Sequence, residues 1–150
     1  MGSEFPHDEH RIYARNFEVP SGGGVGTARA IAHAYSVFAT GGQDLRLCPE
    51  TLSALTAPAV PPRDGFYDEC MLSDGVRFSL GFMKHGPAWT FGSKGSFGFP
   101  GSGGSLGFAD PKAGVGYAYV TNQMGTALTG DPRDLALRSA LYSTIPQPQG

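Results

Sequence analysis

SFGFPGSGGSLGFADPKAGVGYAYVTNQM, residues Ser96 to Met124, carries seven glycines from Gly98 to Gly116 between apolar ends. Glycine inside strand-like sequence marks a bulge or a place where another backbone or a ligand comes close. In the second half Val115, Tyr117 and Tyr119 alternate with Gly116 and Ala118. Both alternating sets are small or apolar, which predicts a strand covered on both faces. Asp110-Pro111-Lys112-Ala113-Gly114 has the chemistry of a tight connection, with Pro to preset one φ and Gly to accept a positive one. The run from Gly103 to Ala109 then becomes the antiparallel neighbour. The stretch reads as the centre of a sheet.

A chain of 150 residues fits one domain with a real core. Met1-Gly2-Ser3-Glu4-Phe5 reads as an expression-vector scar and carries no fold information. Residues 6–18 read as a linker, 19–146 as the folded domain and 147–150 as a tail. Glycine, at 23 residues, stands at about twice its usual share. It clusters beside periodic apolar segments, so it punctuates structure and does not form a low-complexity tract. A net charge of −2, with no Lys/Arg run, gives no footprint for nucleic acid. No apolar run reaches the roughly 18–20 residues that span a bilayer. Cys48 and Cys70 lack metal spacing and read as two inert thiols. His7-Asp8-Glu9-His10 holds four potential metal ligands, but adjacent ligands without apolar support make a poor closed site. A solvated linker is the better reading there, and no cofactor is implied.

Helical spacing of Ala28, Ile31, Tyr35 and Phe38 predicts a helix over Thr27 to Thr40, stopped by Gly41-Gly42. His33 and Ser36 fall on its polar side. The glycines before it lack any phosphate-loop spacing. A short second helix starts at Pro49, with Leu52 and Leu55 apolar and Pro58 ending it. Its N-cap slot holds Cys48, a weak choice. Residues 59–72 read as a surface connection. Val76, Phe78, Leu80 and Phe82 alternate with polar or small residues and predict one half-buried strand, turned by His85-Gly86-Pro87, with Trp89 to Gly92 beginning the return. Asp131 caps a last helix with Pro132 just inside it, Leu137, Leu141 and Ile145 on its buried face, and Pro146 ending it. Helix, helix, antiparallel strands, helix is an α+β order.

In sequence order these segments resemble the C-terminal part of the serine β-lactamase and penicillin-binding-protein superfamily, most of all its class C β-lactamase-like esterase branch. The matching residues are Gly26-Thr27-Ala28-Arg29-Ala30 through Gly41-Gly42, Phe78 to Phe82, Phe97 to Ser105 with Asp110-Pro111, Tyr119 to Met124, and Asp131-Pro132-Arg133. The resemblance implies an antiparallel sheet packed with helices and hydrolysis of a small-molecule ester or amide through an acyl-serine. That chemistry uses a Ser-x-x-Lys nucleophile, a Tyr-x-Asn loop, and a wall strand that binds substrate and offers backbone N–H toward the oxyanion.

Only the wall is present in this chain. The residues three before Lys84, Lys94 and Lys112 are Gly81, Phe91 and Ala109, and no Tyr is followed two residues later by Asn. Where relatives carry His-Pro-Gly, the wall has Phe99-Pro100-Gly101, so the ring keeps its bulk and loses its polar role. Phe99, Pro100, Gly101, Ser102 and Gly103 are the expected substrate-facing residues. Gly103-Gly104-Ser105-Leu106-Gly107 also fits G-x-S-x-G, which makes Ser105 a candidate nucleophile. An elbow of that kind needs a helix after it and a later His, and no His follows residue 85. A sheet serine is the better reading of Ser105, and a surface turn lysine the better reading of Lys94. Two functions follow: the C-terminal portion of a serine hydrolase that is inactive alone, or a non-catalytic domain that binds or self-associates through an exposed sheet edge.

Overall fold

The computed structural model describes residues 24–127 and 130–145, with Pro20 and Gly22. The expected vector scar, the linker, the His7–His10 cluster, Pro146 and the tail lie outside the described residues.

Helix α1 (Ala28–Ala39) starts where Thr27 accepts a hydrogen bond from the Ala30 N–H at 3.2 Å. Thr40 and Gly42 close it by donating back to Ser36 and Val37 carbonyls, Gly42 with φ +69°. Helix α2 (Pro49–Thr56) follows a short 3₁₀ turn at Gln43–Leu45, and Cys48 gives it no backbone cap, as its side chain predicts. Leu55 is its buried residue.

Five strands follow in a meander: β1 (Phe78–Ser79), β2 (Phe82–Lys84), β3 (Phe97–Pro100), β4 (Leu106–Asp110) and β5 (Val115–Tyr119), every neighbouring pair antiparallel. The expected Asp110–Gly114 connection joins β4 to β5. The alternating run from Val76 to Phe82, however, is not one strand. Leu80 and Gly81, at φ +53° and +82°, make a two-residue turn that pairs Ser79 with Phe82 and Phe78 with Met83. Positive φ at both turn positions matches the twist of a tight hairpin. Val76 is therefore buried while Phe78 and Leu80 stand in solvent. Nor does the return begin at Trp89. Trp89 and Phe91 drop into the core from an irregular loop, and β3 starts only at Phe97.

The sheet is covered on both faces. On one side Phe97 and Ala109 pack with Ala39 and Leu55, flanked by Tyr35, Phe38 and Phe82. Phe97 meets Phe82 edge to face at 5.1 Å between centroids. On the other, Phe108 stacks on Phe91 at 5.6 Å and lies 5.0 Å from Tyr117, with Trp89 and Tyr142 beside them. Glycine lets α1 settle on β4 and β5: a Cβ on Gly116 would lie 2.4 Å from the Ala32 carbonyl oxygen and 2.3 Å from the Ser36 nitrogen. Ser36 is thus a contact residue, half-buried, and not the surface residue its polarity suggests; a small side chain is what this approach requires. His33 is exposed as expected.

Helix α3 (Pro132–Thr144) is capped by Asp131, but its buried face differs from the expected one. Leu137 is exposed, Leu141 and Ile145 are half-buried, and the residues taken fully inside are Asp134 and Arg138. They can be buried because their opposite charges meet on Asp134 Oδ2, although Asp134 Oδ1 has no hydrogen-bond partner among the described residues. Arg138 Nε and Nη2 donate to Asp134 Oδ2 at 2.8 and 2.7 Å, and Nη1 donates to the carbonyls of Thr90 and Phe91. No described helix is long and apolar enough to cross a membrane.

Candidate functional site

Strands β3 and β4 are joined by the turn that holds the expected wall residues. The Gly101 N–H donates to the Ser105 carbonyl at 2.6 Å, and the Gly104 N–H returns to Gly101 at 3.2 Å. Gly103 and Gly104, at φ +90° and +101°, give the turn a path that side-chain-bearing residues rarely take. Phe99, Gly101 and Ser102 are exposed, Pro100 is half-buried, and Gly103 is buried. The five residues form one continuous segment. Phe99 meets Phe78 of β1 edge to face at 6.1 Å, so the β1–β2 hairpin flanks the wall.

Beside the turn lies an apolar cavity of about 220 Å³, bordered by Ile31, Tyr35, Phe99, Leu106 and Val120. Burial pushes the Tyr35 phenol up, offset in part by a hydrogen bond with the Phe99 backbone. The wall's own donors are limited. Pro100 has no N–H, and that of Gly101 is engaged within the turn. Phe99 and Pro100 present bulk and shape, and the exposed Ser102 adds a hydroxyl.

Ser105 has none of the surroundings of a nucleophile. It sits between an antiparallel turn and a strand, and its Oγ accepts a hydrogen bond from the Thr121 N–H at 3.2 Å. The two cavities that it borders are lined by neither histidine nor lysine. Lys94 is exposed, as a turn lysine should be. Among the described residues no group of three or more His, Cys, Asp or Glu could hold a metal ion. Cys48 and Cys70 are free and exposed.

A β-lactamase family model matches residues 2–142. The chain belongs to the β-lactamase family. It corresponds to the C-terminal part of the serine β-lactamase and penicillin-binding-protein fold. Two solved structures are similar. One is a family VIII carboxylesterase, 33% identical with a TM-score of 0.65, the match covering 79% of this chain and 31% of that one. The other is a penicillin-binding-protein homologue from Caulobacter crescentus, 35% identical with a TM-score of 0.67, covering 79% and 32%. The chain thus spans about a third of the length of either structure. No curated protein matches it.

Three polar residues of this β-lactamase-like domain carry more than their sequence context suggests. Asp110, fully buried, accepts from the Ser93 N–H and Oγ, the Ala113 N–H and the Tyr142 hydroxyl. Burial alone would raise its pKa, but these bonds, led by those from Ser93 and Tyr142, hold it below the ordinary carboxylate range. Lys84 is also buried, donating to the Leu55 carbonyl near the end of α2 and lying 5.1 Å from the Phe97 ring centre; burial lowers its pKa. The third is Arg133. The sequence shows Asp131 as a helix cap, and the cap alone gives no sign that Arg133 folds back onto it.

Proposed function

We propose that this chain is the C-terminal portion of a β-lactamase-like serine hydrolase, which cleaves an ester or amide substrate through an acyl-serine in the full-length protein. Phe99, Pro100, Gly101, Ser102 and Gly103 form one wall of the substrate site. The nucleophile and its proton-transfer partners belong to chain outside this sequence, and the chain alone does not turn over. The observation that carries this reading is the wall turn itself: it stands beside an apolar cavity, while Ser105, the serine of its G-x-S-x-G run, is tied to the Thr121 N–H with no basic partner. Nucleophilic catalysis needs an adjacent base or an equivalent activator. The esterase and the penicillin-binding-protein homologue among similar structures support the same class.

Intact-mass analysis after incubation with a fluorophosphonate probe, and separately with a β-lactam, tests the proposal. The expected mass is unmodified in both. An adduct mapped to Ser105 would overturn it and make this chain a hydrolase in its own right.

The second reading, a non-catalytic domain that self-associates, is favoured by Phe99 in place of a titratable residue and by β5, whose outer side pairs with no strand among the described residues. Sedimentation over a wide concentration range decides it. A strictly monomeric species counts against this second reading.

A further inference from the structure

The wall turn makes few contacts through side chains of its own, since Gly101, Gly103 and Gly104 have none, yet it is held from two sides. From one side comes the loop of residues 121–125: the Gly125 N–H donates to the Gly103 carbonyl at 2.8 Å, and Met124 lies directly over Gly103. From the other comes the start of α3. Asp131 and Arg133 face each other in a two-pronged pair, with Nε–Oδ1 at 3.0 Å and Nη2–Oδ2 at 2.6 Å. The remaining nitrogen, Nη1, donates to the Gln123 carbonyl at 2.9 Å. Gly104 runs so close beneath the carboxylate that a Cβ there would stand 2.5 Å from Asp131 Oδ2.

We propose that Asp131 and Arg133 are positioning residues for the wall: their ion pair locks the 121–125 loop against Gly103 and Gly104, and so fixes where Phe99 to Gly103 stand. What the wall does rests on the function proposed above; the clamp itself does not.

An exposed ion pair contributes little when it holds two free side chains together. This one differs in geometry and in connection. Its carboxylate is buried, 7% exposed against 40% for the arginine, and the fork is planar and double. The same carboxylate accepts the Arg133 N–H and so caps α3. Three elements therefore meet at one pair: the helix start, the loop and the turn. Lysine cannot replace the arginine, because an ammonium has no fork to span both carboxylate oxygens and still reach Gln123.

Amide hydrogen exchange by NMR on the whole chain reads this directly, with Arg133→Ala and Arg133→Lys both leaving the Asp131 cap intact. In Arg133→Ala the amides of Gly104 and Gly125 should exchange about tenfold faster or more, while those of β4 and β5 keep their rates. Arg133→Lys should restore little of the protection. Unchanged rates at Gly104 and Gly125, an equal loss across every strand, or full rescue by lysine would each overturn the clamp. The two proposals fail separately: a labelled Ser105 leaves the clamp standing, and unchanged exchange leaves the function of the wall standing.

Discussion

On the α1 face of the sheet, helix backbone comes within touching distance of Gly116 on β5. On the α3 face, the helix stands off and reaches in with Arg138 and Tyr142, whose polar ends finish on Asp134, two loop carbonyls and Asp110. The first face is built mainly by removing side chains, with Lys84 its one buried charge among the described residues, and the second by burying an ion pair and a carboxylate. Close apolar contact gains from every atom pair but tolerates no added volume. A buried polar network tolerates shape changes better, yet depends on every member having its partner. Burial, and then the Asp134 carboxylate nearby, push the Tyr117 phenol above its ordinary range.

The contrast can be broken from either side. Arg138→Met should cost the most, about 3–5 kcal/mol in urea unfolding, because it strands Asp134 in the interior. Pairing it with Asp134→Leu should recover most of that loss; equal damage in single and double variants would show that the pair is not a unit. Gly116→Ala comes next, at about 1–3 kcal/mol, since the added Cβ meets helix backbone that cannot rotate away. Thermal melts by circular dichroism check it, and a neutral result would mean that α1 stands farther off.

Tyr142→Phe should cost about 1 kcal/mol near neutral pH, through one lost hydrogen bond to Asp110. The sign of its pH dependence follows from a depressed carboxylate. Its contribution is present above the unfolded pKa, about 3.9, and is lost as pH falls through the lower folded value. The gap between wild type and Tyr142→Phe should therefore close on acidification, and a gap constant from pH 7 to pH 2 would contradict it. Leu137→Lys, on a residue 53% exposed, should change stability by less than about 0.5 kcal/mol. A large loss there would restore the leucine face that the sequence suggests.

What could be read in the sequence follows the same division. The α1 face announces itself in part: apolar residues at helical spacing, and strands whose alternate positions are glycine or alanine, read as a helix and a strand covered on both faces with a close approach at the glycines. The α3 face hides. Asp134 and Arg138, four apart on a helix, look the same whether they flank solvent or face inward, while Leu137 suggests a core that is not there. Only the partners on residues 90 and 91, more than forty positions away in sequence, decide it. The β1–β2 hairpin was hidden for a local reason. Leucine at φ +53° is not a turn signal, so Leu80-Gly81 reads as a continued alternation. Within the candidate site, the turn after β3 was legible as Phe99-Pro100-Gly101 and a run of glycines, its role as a substrate wall being the proposal above. The arginine fork that braces it was not, because its targets, a carboxylate two residues back and a loop carbonyl at residue 123, have no spacing rule.

The two ends of the sheet also differ, in length. At one end β1 has two residues and bends away into its tight turn; at the other β5 has five, with no strand beyond it among the described residues. A strand of two residues is too short to template another chain, whereas five is a usual strand length. Among the described residues the sheet thus has one edge long enough to pair. Were two copies to join edge to edge through β5, they would use up the one long edge each has among the described residues. A sheet with two such ends could polymerise; one with a single such end would stop at the pair.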